Sequence, residues 1–150
     1  MPIRILAVVL AVALHAGVQA PRNFSGEWVI AGAPTGLLGE KFTAIQNDKT
    51  LTLTVTVAAL NRDVKVVYNL DGSESRNLNP QGPGVPDEPI FSRATWEGDR
   101  LIVNTRGTNL VNGKPVESKR VIWIDKEGVF TIERSAEGAP LTRSTYRRKP

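Results

Sequence analysis

The stretch LTLTVTV, residues 51–57, alternates apolar and hydroxyl side chains without a break. Successive residues of a strand point to opposite faces, so Leu51, Leu53, Val55 and Val57 share one side and Thr52, Thr54 and Thr56 the other. A helix repeats every ~3.6 residues and would scatter that apolar set around its circumference. The pattern therefore specifies a strand with one buried face. DVKVVYNL, residues 63–70, repeats it with Val64, Val66, Tyr68 and Leu70 on one side. RLIVNTR, KRVIWID and VFTIERS continue in the same style, rich in β-branched and aromatic residues. No window sustains helical spacing, and the chain reads as all-β.

Short polar connections separate these runs. Asn47-Asp48-Lys49, Glu97-Gly98-Asp99 and Lys126-Glu127-Gly128 each lie between two apolar stretches, and two of them carry a glycine able to take positive φ. The repetition predicts an antiparallel meander of about nine to ten strands, beginning near Gly26, Lys41, Leu51, Asp63, Ser73, Ile90, Arg100, Pro115, Val129 and Thr142. Closing such a sheet into a barrel removes its edges; an open sheet or a β-sandwich is the alternative. Two stretches break the rhythm. AGAPTGLLGE, residues 31–40, joins the first two strands, and NLNPQGPGVPDEP, residues 77–89, is expected to stay outside strands as a flap or a loose insertion.

Residues 1–20 are expected to leave before folding. Arg4 precedes an apolar run over residues 5–14, and Val18-Gln19-Ala20 is a small-x-small cleavage site, with Pro21 as the mature start. A spanning helix needs ~20 apolar residues, so the run is too short for an anchor. Residues 21–150 then form one domain, large enough for a core of its own. The expected location is periplasmic or extracellular.

Cleavage removes His15, the only histidine, and the chain has no cysteine. A mature chain without either lacks the parts for a Ser-His-Asp triad, a Cys-His pair or an imidazole or thiolate metal site. No metal and no cofactor are expected. The acidic residues sit mainly in turns, where local backbone hydrogen bonding accounts for them. Catalysis through carboxylates is the remotest reading, with Glu133 as the mid-strand acid to replace by Gln. The formal charge of +4 falls to +3 without Arg4, and the basic residues are scattered apart from Arg147-Arg148-Lys149. That is an ordinary solvated surface, with no nucleic-acid footprint.

The triplet Gly26-Glu27-Trp28, at the start of the first strand, resembles the opening of the calycin barrels: lipocalins, fatty-acid-binding proteins and avidins. In those families the tryptophan plugs one end of the barrel and an arginine from a late strand lies across its ring. The resemblance implies that role for Trp28, with Arg147 or Arg148 supplying the cation. Over most of the mature chain, FSGEW, YNLDGSESRN, SRATWEGDRLIV and the final YRR are similar to a group of small secreted bacterial proteins described as lipocalin-like. Asn23 stands where that group carries Asp. The likeness implies a β-barrel and export, and transfers no catalytic residue.

A closed barrel of this strand number can hold one small ligand among its inward side chains. The candidate lining residues are Tyr68, Trp96 and Trp123, with Arg93 or Arg106 as a charged end. Trp96 and Trp123 lie on strands that flank the run 100–106 and are expected to share a face. The preferred reading is an exported carrier of a small apolar or amphipathic molecule. The alternative is a filled barrel that contacts another envelope protein, through residues 77–89 or through exposed strands.

Overall fold

The computed structural model describes residues 22–32, 36–109 and 112–150; the expected leader and its cleavage site lie outside them. Ten strands follow one another: β1 (Gly26–Ile30), β2 (Lys41–Gln46), β3 (Thr50–Val57), β4 (Arg62–Asn69), β5 (Glu74–Asn79), β6 (Glu88–Glu97), β7 (Arg100–Thr108), β8 (Pro115–Ile124), β9 (Phe130–Ala136) and β10 (Thr142–Arg148). A single 3-10 turn, Ala58–Leu60, joins β3 to β4.

Every pairing is antiparallel, and the strand order is β4-β3-β2-β1-β10-β9-β8-β7-β6-β5. The chain ends meet in the middle of this sheet, where β1 pairs with β10 and Trp28 lies opposite Arg148. The sheet curls until β4 and β5 face each other, giving a nearly closed up-and-down barrel. No main-chain ladder joins β4 to β5 among the described residues. Side chains bridge that seam instead: Asn77 bonds both main-chain groups of Val67, and Asn69 donates to the Glu74 carbonyl.

A meander places alternate connections at opposite ends. The short turns after β2, β4, β6 and β8 lie at one end, and Gly98 and Gly128 take φ of 63° and 80° there. The connections after β1, β3, β5, β7 and β9 lie at the other. Leu51 and Leu53 are fully buried, which puts Thr52, Thr54 and Thr56 on the outside. The core holds a cluster of aromatic rings around Phe130. There the Phe130 ring lies 5.6 Å from Phe24, 5.2 Å from Trp28, 4.9 Å from Phe42 and 6.1 Å from Tyr146. These are edge-on and tilted geometries, which suit the ring quadrupole.

The structure corrects two sequence readings. Residues 77–89 are not one irregular stretch: Asn77, Leu78 and Asn79 pair with Ile90, Pro89 and Glu88, so the unpaired connection is residues 80–87. Pro89 is tolerated because it precedes Phe91, the first β6 partner of β7, and its missing N–H breaks no β6–β7 bond. Trp96 and Trp123 do not share a face. Leu101 lies opposite both Trp96 and Ile122, so Trp123 is one residue out of phase and points outward.

Candidate functional site

At the short-turn end the barrel is plugged. The Trp28 indole N–H donates to the Phe24 carbonyl at 2.9 Å, and the ring is 1% exposed. The Arg148 guanidinium lies over that ring, 4.9 Å from its centroid, whereas Arg147 has the opposite phase on β10, paired with Val29. Gly26 makes the approach possible: a Cβ there would stand 3.2 Å from an Arg148 guanidinium nitrogen, and its φ of 147° disfavours other residues. Trp96 is on the inner face at the same end and stacks on Phe24 at 5.6 Å.

The inner face of β4 to β8 also carries polar groups. Ser75, Asn77 and Ser92 are buried, Ser75 donates to the Ser92 carbonyl, and the Ser92 and Thr105 hydroxyls bond at 2.9 Å. Tyr68 is 1% exposed, and its hydroxyl accepts a hydrogen bond at 3.0 Å from Arg120. β4 and β8 are not neighbours in the sheet, so this bond crosses the lumen. Arg120 shares its face of β8 with the buried Ile122 and Ile124, and its Nε is buried with no hydrogen-bond partner. Directly opposite on β9 stands Arg134, in phase with the buried Phe130 and Ile132.

The residues singled out from sequence therefore fall into three places. Tyr68 and Trp96 are inside. Arg93 and Arg106 are outside, both facing Glu74: Arg106 bonds its two oxygens at 3.1 Å and Arg93 lies 3.8 Å away. Arg106 also covers the Phe91 ring at 4.5 Å, and these residues line an outer groove of about 490 Å³ together with Glu117 and Lys119. Trp123 is outside as well, beneath Arg100 at 4.8 Å. Glu133 is outside, paired with Arg143. Among the described residues no group of three metal-binding side chains occurs, and no helix is long and apolar enough to cross a membrane.

Arg120, Arg134 and Asn77 carry the interior chemistry and were not singled out from sequence. Their signal was phase: in KRVIWID, Arg120 has the parity of Ile122 and Ile124, and in VFTIERS, Arg134 has that of Phe130 and Ile132. A cation on the apolar parity of a strand faces the core unless the strand ends first.

No protein-family model matches the chain, nor does any curated protein sequence. Among solved structures it is similar to secretory abundant heat soluble protein 4 from Ramazzottius varieornatus, with a TM-score of 0.57 and 11% identity over 84% of this chain and 94% of that one. At that identity the likeness is one of fold.

Proposed function

We propose that this chain is an exported, lipocalin-like binding protein for a small amphipathic molecule held inside the barrel. One observation carries the reading. The inner face combines an aromatic floor around Phe130, on β1, β2, β9 and β10, with hydroxyl and guanidinium groups on β4 to β9, and the latter include a buried donor with no protein partner. A barrel interior that serves only stability gains from apolar filling, because each buried polar group costs free energy unless fully bonded. A ligand with one apolar and one polar end matches both halves. Tyr68 and Trp96 are the proposed lining residues. Export rests on the leader-like residues 1–20, and a bacterial envelope is the proposed setting.

Native mass spectrometry of the protein purified gently from its own cells tests this. An added mass that disappears on denaturation supports the carrier and identifies its cargo. A bare mass, together with no binding across a panel of amphiphiles, overturns it.

The dense aromatic floor and the outer groove lined by Phe91, Arg93 and Arg106 favour a second reading, an interaction module that meets another envelope protein. Crosslinking in intact cells, with and without residues 80–87, tests that reading. A partner crosslinked equally by both forms removes the connection from the interface.

A further inference from the structure

Arg120 and Arg134 are direct cross-strand partners on the inner face, two cations facing the same space. Like charges directly opposite one another in an antiparallel pair are destabilising. Neither is in an ion pair among the described residues. The neighbouring inner-face positions are apolar or hydroxyl-bearing: Val103, Thr105, Ser118, Ile122, Ile132 and Thr142. The β6 acid with inner-face phase is Glu88. It is six residues from Ala94, the position level with the pair, or roughly 20 Å along the strand. The protein thus brings two guanidiniums together in a partly desolvated lumen and supplies no anion. Three donors belong to this face: Arg134, placed there by its strand phase, the unpartnered Nε of Arg120, and the Tyr68 hydroxyl, which accepts from Arg120 and keeps its own proton free to donate.

We infer that Arg120, Arg134 and Tyr68 form an oxyanion-binding site, and that the ligand of the barrel is an amphiphile with a carboxylate or phosphate head. The inference deepens the carrier reading and rests on it. A guanidinium presents a planar fork of donors that matches the oxygens of either head group, and an oxyanion between the two arginines turns their repulsion into two charge-assisted contacts. Tyr68 reaches the site from the opposite wall, so the head is gripped from β4 as well as from β8 and β9. The hydroxyls of Thr105 and Ser118, directly opposite each other toward the long-connection end, continue the polar wall.

Titration calorimetry with decanoate, decyl phosphate and uncharged decanol, alongside inorganic phosphate and acetate, tests the site in the mature protein and in Arg120→Met and Arg134→Gln. Both anionic amphiphiles are expected to bind on the order of 10- to 100-fold more tightly than decanol, and each variant to lose that advantage while binding decanol as before. Without ligand, Arg134→Gln is expected to melt higher than the wild type, because it removes the like-charge pair; a merely structural arginine would melt lower. Its partly buried position keeps the test decidable should Arg120→Met fail to fold. If decanol binds as tightly as the anions and the variants do not discriminate, the oxyanion site is overturned and the carrier reading stands. If none of the three amphiphiles binds, both fall. If inorganic phosphate or acetate binds as tightly as the amphiphiles and the variants abolish it, the oxyanion site stands and the amphiphile is overturned in favour of a free anion.

Discussion

The side-chain amide of Asn77 does for Val67 what a neighbouring strand's main chain would do: it accepts the Val67 N–H at 2.7 Å and donates to the Val67 carbonyl at 2.9 Å. Val67 is on β4 and Asn77 on β5, the two strands that end the sheet order. One residue thus closes the barrel at the place where no ladder does. A second amide assists, from Asn69 to the Glu74 carbonyl at 3.2 Å.

Asn77→Ala should therefore cost more than an ordinary polar-to-alanine change. Asn77 is 6% exposed, and its loss strands one donor and one acceptor, for a cost of about 2–4 kcal/mol. Chemical denaturation measures the total. Hydrogen exchange locates it, with the Val67 amide losing protection first. An unchanged Val67 exchange rate would show that the seam is held by something other than this amide.

Arg148→Ala and Gly26→Ala should behave as one unit. The arginine is exposed, so losing its contact with Trp28 should cost only about 0.5–1 kcal/mol. Gly26→Ala adds a Cβ against the guanidinium and forces a φ that alanine avoids, for about 1–3 kcal/mol. Once Arg148 is absent, the contact part of that cost disappears. A double-mutant cycle read by denaturation should show less than additive loss, and strict additivity would separate the two residues.

Phe130 is the common neighbour of four other aromatic rings, and it is 0% exposed. Phe130→Ala should destabilise by about 3–5 kcal/mol, because a rigid floor of rings cannot collapse into the space. Phe130→Leu should cost much less. Thermal unfolding of the two variants orders them; equal losses would show that ring geometry, and not volume, sets the cost.

Acid should release the connection at residues 80–87. Arg62 on β4 bonds Asp87, which holds the Asp87 carboxyl below the ordinary aspartate range; the Gln81 N–H adds to the effect. A carboxylate depressed in the folded state contributes stability that is fully present above its unfolded value, about 3.9, and that is lost as pH falls through the lower folded value. Exchange or proteolysis within residues 80–87 should therefore rise only below about pH 4. Asp87→Asn should show the loosened behaviour at neutral pH and remove the acid step. An acid step that survives in Asp87→Asn would belong to another group.

The strand plan was legible because its signal is local. Period two in residues 51–57 or 63–70 needs no knowledge of what covers the apolar face, and nine of the ten strands begin within one residue of the positions read from sequence. β6 is an exception, opening two residues early, at Glu88. Prolines spread through residues 77–89 suggested a single irregular segment, but pairing with β5 recruited both ends of it. The interior was less legible. Tyr68 reads as an apolar-face residue from its own strand, yet its partner Arg120 lies 52 residues away.

The sequence by itself determined the strands, the turns between them and the side of each strand that is apolar, because alternation and turn chemistry act over a few residues. Tertiary structure alone decided which apolar faces look into one lumen, that β4 and β5 meet through Asn77 and not through a ladder, and that Arg120 stands opposite Arg134. Register makes the difference. A shift of one residue reverses every side chain of a strand, so Trp123 lies outside and Arg120 inside on the same strand. Only the pairing of β7, β8 and β9 over a shared core fixes that choice.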